Sequence, residues 1–309
     1  MGYNTESISY PSANGTDTVF AKLFIPTDTD LKAIVQISHG MCEYIDRYRN
    51  FAEYLCGKGY MVCGNDHIGH RHSAADTASL GFFSEKEGYS HLITDVSTLT
   101  RQMKERYPGV PYFLLGHSMG SFIARCCLAD FGEEYNGAII SGTAGPNPFC
   151  GTAIKLATLL CKMQGAKKPG KLLDNITFGN YNDRFEKRTS KDWLSRDHAV
   201  VDAYLADSYC NFMFTNAAFR DLFMLNHLVN RAAWAKNLPK DLPIFIFSGE
   251  DDPVGDYGAG VQKVYEMIKQ EGLFDVALKL YKGGRHEMLN ELNRSEVYED
   301  VYEWIKRKI

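Results

Sequence analysis

Ser118 occupies the centre of Gly116-His117-Ser118-Met119-Gly120, directly after the apolar run Tyr112-Phe113-Leu114-Leu115 and directly before a helical stretch from Ser121 to Phe131. A serine at a sharp strand-to-helix turn takes a strained backbone conformation that pushes its hydroxyl clear of the sheet. The glycines two residues to either side leave room for that close approach. The helix that follows aims unpaired N–H groups and its positive dipole end at the same point, where an oxyanion can be held. The chemistry such a residue offers is nucleophilic attack on an acyl carbon.

A serine hydroxyl needs a base within reach, and the base needs a partner that fixes its tautomer. His286 fits the first role. It follows the last strand in the loop Gly283-Gly284-Arg285-His286-Glu287, which can bend the imidazole over the sheet edge. His39, His67 and His70 also follow strands, but they precede the serine and suit the wall of an oxyanion pocket. For the acid, Ile244 to Phe247 runs into Ser248-Gly249-Glu250-Asp251-Asp252-Pro253-Val254. Asp252 is the choice and Asp251 the fallback, and the resulting chain order Ser, Asp, His favours catalysis over simple turn chemistry. The oxyanion donors are then the N–H of Met119, next to the nucleophile, and that of Met41, after the strand Ala33 to Ser38. His39, Gly40, Glu43 and His117 are candidates to line the substrate pocket. This chemistry calls for no cofactor and no metal.

The order of elements suits such a site. Glu6 to Tyr10 and Thr18 to Ile25 flank Asn14-Gly15 and read as an antiparallel hairpin. Strands then alternate with helices: Ala33 to Ser38, helix Tyr48 to Cys56, strand Tyr60 to Gly64, helix Tyr89 to Tyr107, strand Tyr112 to Leu115 and strand Gly137 to Ser141. Pro243 to Phe247 and Val276 to Tyr281 flank helix Gly258 to Gln270, and Ser295 to Lys308 closes the chain. This alternation predicts an α/β fold with a mostly parallel sheet covered by helices on both faces. The interval from Gly142 to Leu238 breaks the rhythm. It carries helical pieces at Thr152–Met163, Ser195–Phe212 and Thr215–Trp234, a flexible basic turn at Ala166–Lys171 and no clear strand. The expected division is a core of residues 1–141 and 239–309, with 142–238 inserted as a helical cap over the strand ends.

The 309 residues carry 34 Lys and Arg against 38 Asp and Glu, a net charge of −4, so no basic field invites nucleic acid. The eight cysteines show no C-x-x-C or other metal spacing and read as reduced core residues of a cytoplasmic protein. The N-terminal Met-Gly-Tyr-Asn-Thr-Glu has no basic-then-apolar leader, Glu6 spoils a myristoylation motif, and no apolar run approaches a membrane span, so stable membrane insertion is not expected. Nothing in the sequence specifies an oligomeric state.

With these parts in place the chain resembles the α/β-hydrolase superfamily, and within it the bacterial branch that groups monoacylglycerol lipases and lysophospholipases with serine-aminopeptidase-like hydrolases. The branch pattern H-G-M-x-E-H…R-Y stands as His39-Gly40-Met41-Cys42-Glu43-Tyr44…Arg47-Tyr48, and N-D-H-R-G-H-G as Asn65-Asp66-His67-Ile68-Gly69-His70-Arg71. The G-H-S-M-G, D-D-P-V-G and late G-x-x-H-E motifs also match. On these positions the resemblance implies a triad of Ser118, Asp252 and His286 with oxyanion donors Met41 and Met119. Tyr44, Ile68 and Arg71 depart from the pattern beside the site without touching the triad. Glu43 and Arg47, spaced i, i+4, can brace the oxyanion loop or form a solvated surface pair.

The segment 142–238 supplies Ile154, Leu156, Ala157, Leu159, Leu160, Met163, Phe212, Met213, Phe214, Phe219, Leu222, Phe223 and Leu225. Together they favour a greasy acyl pocket, hence a small-molecule ester with an apolar acyl chain such as a monoacylglycerol or lysophospholipid. An aminopeptidase reading stays open through Asp174, Asp183, Glu186, Asp192, Asp197, Asp202 and Asp207, any of which could anchor a free amine. An acyltransferase on the same serine stays open as well, and a non-catalytic ligand-binding member of the fold is disfavoured by the intact triad.

Overall fold

The computed structural model describes residues 2–27 and 29–309; Met1, which opens the segment read above for a leader, lies outside them. Eight strands form one sheet in the order β1-β2-β4-β3-β5-β6-β7-β8. They are β1 Tyr3–Pro11, β2 Thr18–Pro26, β3 Ala33–Ser38, β4 Tyr60–Asn65, β5 Tyr112–His117, β6 Gly137–Ser141, β7 Ile244–Gly249 and β8 Val276–Tyr281. The β1–β2 hairpin joins β4 antiparallel, and every pairing from β4 to β8 is parallel. The loops that leave β3, β5, β7 and β8 therefore emerge at one edge, where the carboxyl ends of parallel strands gather functional groups.

The helices are α1 Arg49–Cys56, α2 Gly88–Arg106, α3 Met119–Phe131, α4 Cys150–Gln164, α5 Lys171–Phe178, α6 His198–Ala206, α7 Asn216–Val229, α8 Ala232–Lys236, α9 Ala259–Gln270 and α10 Arg294–Lys306. Alternate strand residues feed two cores, as the period-two geometry of strands requires. Val35, Ile37, Phe113, Leu115, Ile139, Phe245 and Phe247 pack with α1 and α10. Ile34, Leu114, Ala138, Ile140, Ile244 and Ile246 pack on the other face with α2, α3 and α9. Strands buried on both faces read as unbroken apolar runs, which is why their positions were legible.

The segment between β6 and β7 departs from expectation in detail. The stretch read as one helix from Ser195 to Phe212 is helical only over α6. Asp197 caps it by accepting the Ala199 N–H, and the Asp207 side chain accepts the Tyr209 N–H and turns the chain away. The stretch Thr215–Trp234 is broken after Val229, where the Asn230 amide donates to the Asn226 carbonyl at 3.0 Å and the Ala144 carbonyl at 3.3 Å. The basic turn at Ala166–Lys171 is tied down: Asn216 N–H donates to Lys168 O, Ala217 N–H to Ala166 O and Gly170 N–H to Phe214 O. α5, unread from the sequence, spans eight residues between Gly170 and Gly179, too short to show a clear period.

Candidate active site

Ser118 stands between β5 and α3 with φ 53° and ψ −123°, the strained turn expected of an exposed nucleophile. Its N–H donates to Ser141 O at 3.0 Å, which ties the turn to β6. The flanking glycines are needed for contact rather than flexibility. A side chain at Gly120 would collide with the carbonyl oxygens of Ser38 and His39, and a Cβ at Gly116 would stand 2.6 Å from that of Ala124. The N–H groups of Met41 and Met119 make no hydrogen bond among the described residues, which leaves both as donors.

The candidate acid and base are joined. Asp252 is fully buried, while Asp251 is exposed on the turn. His286 Nδ1 lies 3.0 and 3.1 Å from the two Asp252 carboxylate oxygens, which also accept from Ser248 Oγ and Val254 N–H, both at 2.9 Å. Burial pushes the Asp252 carboxyl up, but the His286 charge and these donors outweigh it and hold it below its ordinary value. Burial pushes His286 down, and the Asp252 carboxylate outweighs that and holds it above 6.5. Ser118 and His286 line the same cavity, though no hydrogen bond joins them in this structure; such contacts are often long before substrate binds.

A base with a raised pKa is active only once deprotonated. The expected kcat/KM therefore falls as pH drops through an apparent pKa above 6.5, while Asp252 stays ionised. Stopped-flow ester hydrolysis across the pH range checks this. In Asp252→Asn the raising interaction is gone, so any residual acid limb moves to lower pH.

The remaining pocket candidates separate. Gly40, Glu43 and His117 line the cavity. His39 does not, and that expectation is corrected: its ring is fully buried behind the loop, with Nδ1 2.8 Å from Gly40 O and Nε2 accepting the His67 N–H at 2.9 Å. His39, His67 and His70 pack with ring centroids 4.2 and 5.0 Å apart around His39. Burial lowers all three, to about 3 for His67 and about 4 for His70, so they stay neutral acceptors, and His70 Nε2 receives the Cys42 N–H. They brace the loop that carries the Met41 N–H.

Glu43 and Arg47 pair in the interior, not as a solvated surface pair. Glu43 accepts from Gly40 N–H and from Tyr48 OH, and Arg47 reaches Glu43 at 3.1 Å. Arg47 also grips Glu287 through two parallel bonds of 2.7 and 2.8 Å. Glu287, which the sequence shows only as the end of the G-x-x-H-E motif, couples the Met41 loop to the His286 loop. Burial raises Glu43. Glu287 is buried too, but its closer hold on Arg47 keeps its carboxyl lowered, so it carries more of the negative charge. Two of the departures noted above also meet: the Arg71 guanidinium lies 4.0 Å from the centre of the Tyr44 ring, whose hydroxyl donates to Asp207 in the helical segment.

A Cβ at Gly40 would stand 2.7 Å from Glu43 Oε1 and 3.0 Å from Ser118 Cβ. Gly40→Ala is expected to displace the Met41 donor and lower kcat by roughly 10²-fold, the usual effect of losing one oxyanion donor. The check is steady-state kinetics beside a melting curve; a kcat within about twofold of wild type at unchanged melting temperature contradicts the assignment of Met41.

The cavity encloses about 400 Å³. Of the apolar residues expected to form it, only Phe212, Leu222 and Phe223 line it. Ala157, Leu160, Phe214, Phe219 and Leu225 are instead buried in helix packing, and Leu159 and Met163 face outward. The walls are completed by Phe122, Phe149, Phe178, Tyr181, Trp193 and Leu194. The 192–195 stretch is stitched to the histidine loop: Glu287 N–H donates to Leu194 O at 2.8 Å and Arg285 Nη1 to Asp192 O at 2.6 Å. No helix among the described residues is long and apolar enough to cross a membrane.

Residues 29–293 match the family model described as serine aminopeptidase, S33. The chain belongs to this family. It is 30% identical over 282 residues to a monoacylglycerol lipase of Mycolicibacterium smegmatis, covering 90% of this chain and 89% of that one. It is 28% identical to the human monoglyceride lipase, over 94% and 87% of the two chains. Among solved structures, a thermostable carboxyl esterase from Bacillus coagulans in complex with glycerol superposes with a TM-score of 0.91 at 32% identity, covering 98% of both chains. The fold is that of an α/β-hydrolase, and the S33 chain described here is a serine hydrolase of carboxylic esters.

Proposed function

We propose that Ser118, Asp252 and His286 form the catalytic triad of an esterase for single-chain lipid esters of the monoacylglycerol or lysophospholipid type, with residues 142–238 as its cap. The observation that carries this reading is the cavity itself: one space of about 400 Å³, with aromatic and aliphatic side chains beside polar and charged ones and lined largely by that segment, is bordered by both Ser118 and His286. Relatives named as monoglyceride or monoacylglycerol lipases support the substrate class. In the reaction, Ser118 Oγ attacks the ester carbonyl while His286 Nε2 takes its proton and Asp252 holds the Nδ1–H. The oxyanion accepts from the Met41 and Met119 N–H groups. Collapse releases the alcohol, protonated by His286, and water then attacks the acyl-Ser118 ester by the same route in reverse.

The aminopeptidase reading keeps one candidate anchor, less favoured because a cation stands on the same wall. Of the acidic side chains named for it, Asp174 alone lines the cavity, and it shares that wall with Lys191. Glu186 is held by Arg285, Asp202 by Arg188 and Asp207 by Tyr44. All eight cysteines are free thiols, which supports a reducing, cytoplasmic setting.

The test is kcat/KM against acyl length for monoacyl esters, with a triacylglycerol emulsion in parallel. The expected gain is up to about 0.8 kcal/mol per methylene until the cavity is filled. Rates indifferent to chain length, or triacylglycerol cleaved as fast as monoacylglycerol, contradict the proposed confinement.

A further inference from the structure

Two charged side chains on the cavity wall, Lys191 and Asp174, have no hydrogen-bonded or ion-paired partner among the described residues, although Lys191 stands over the Phe178 and Trp193 rings and attracts the Asp174 carboxyl. Lys191 lines the cavity half-buried, and among the described residues no carboxylate lies within ion-pair distance of its ammonium group. Asp174, on α5, lines the same cavity half-buried, and its carboxyl receives no hydrogen bond. Asp256 and Lys263 also reach the cavity, but both are exposed and solvated at its rim. The rings and the mutual attraction offset part of the cost of burying these charges, but neither group is hydrogen-bonded, and a ligand that supplies those bonds lowers the cost further.

Lys191 lies on the side of His286, and Asp174 is close enough to Lys191 to feel its charge. The Lys191 ammonium lies 5.7 Å from the ring centres of both Phe178 and Trp193, and the Trp193 ring lies 5.2 Å from that of His286. His286 protonates the departing alcohol, so the leaving group sits on the His286 side of the cavity. Phe122 from α3 and Leu222 and Phe223 from α7 line the same cavity and suit the acyl chain.

We infer that Lys191 and Asp174 are the specificity-determining pair for a neutral vicinal diol on the leaving alcohol, the glycerol head of a monoacylglycerol. This rests on the single-chain ester reading above and names the head group that reading left open. The Lys191 ammonium donates to one hydroxyl oxygen, and a hydroxyl of the diol donates to the Asp174 carboxyl. An anionic head is repelled by Asp174 and a cationic one by Lys191. A phosphocholine head offers both charges but fits less well. Its quaternary ammonium has no N–H to give Asp174, and the aromatic faces it would need already lie beside Lys191. Burial also holds the Asp174 carboxyl up, which suits hydrogen bonding to a hydroxyl better than pairing with a fixed cation.

The experiment holds the acyl chain constant and changes only the alcohol. Decanoyl esters of glycerol, methanol and glycerophosphocholine are compared with the full-length wild type, Lys191→Met, Asp174→Ala and Lys191→Arg. Wild type is expected to favour the glycerol ester over the methyl ester by about tenfold or more in kcat/KM. That ratio should collapse towards one in Lys191→Met and Asp174→Ala, mainly through KM, and Lys191→Arg should restore most of it. A ratio unchanged in both variants, or a wild type that prefers the glycerophosphocholine ester, overturns the inference while leaving the single-chain reading intact. Hydrolysis of none of the three esters overturns both.

Discussion

Ser118→Ala is expected to lower ester turnover by roughly 10⁴- to 10⁶-fold, the range in which deletion of an activated serine falls. The fold should survive. Ser118 lines the cavity, and the hydrogen bonds that hold the turn run from its N–H to Ser141 and from Ser121 to its carbonyl, not through its hydroxyl. Alanine adopts the same strained φ no worse than serine, so the melting temperature should stay level or rise. Turnover of a p-nitrophenyl ester by the purified variant, beside a thermal melt, is the check. A variant that keeps about a hundredth or more of the wild-type rate has a different nucleophile.

Asp252→Asn should cost about 10⁴-fold in kcat with little change in KM. The Asp252 carboxylate accepts from three sides: His286 Nδ1–H, Ser248 Oγ and Val254 N–H. An amide has a single acceptor oxygen, and the Val254 N–H, fixed in the backbone, claims it. The NH₂ group then faces His286, turns Nδ1 into an acceptor and moves the ring proton to Nε2, where no lone pair remains for the Ser118 proton. Asp251→Asn is the control. That residue is exposed and its N–H, not its side chain, ties it to Gly284, so activity should stay within about twofold of wild type. If Asp251→Asn is the damaging change instead, the acid has been assigned one residue out of place.

The proposed triad is legible because each member follows a strand end: β5 and β7 are buried along their whole length, and β8, a half-exposed edge strand, runs into the Gly283-Gly284 turn that precedes His286. Ser118 is marked by its G-x-S-x-G turn, Asp252 by the acidic turn after β7 and His286 by the glycine-rich loop after β8, and the structure brings Asp252 and His286 into contact and Ser118 into their cavity. The Met41 loop was placed by the same rule. Residues that act by tertiary contact were harder to read. Nothing in the spacing of Glu287 says that it binds Arg47 from 240 positions away. His39 shares its position in the loop with Gly40, yet one faces inward and the other the substrate, a difference set by backbone direction. The segment 142–238 was the least legible. Its helices bury parts of their apolar faces against one another and expose others, so apolar content did not distinguish cavity wall from packing. Its helix ends are set by side chains such as Asp197 and Thr215, whose capping bonds are local and easily missed within a long apolar stretch.

The central claim is that acyl transfer runs through Ser118, and covalent trapping tests it most directly. The wild-type protein is treated with an alkyl fluorophosphonate, which phosphonylates activated serines, and the adduct is mapped by intact-mass and peptide mass spectrometry. The expected result is a single phosphonyl group per chain, located on Ser118, with ester hydrolysis lost in step with labelling and no adduct on Ser118→Ala. Labelling of another residue with parallel loss of activity, or full activity in protein labelled at Ser118, contradicts it.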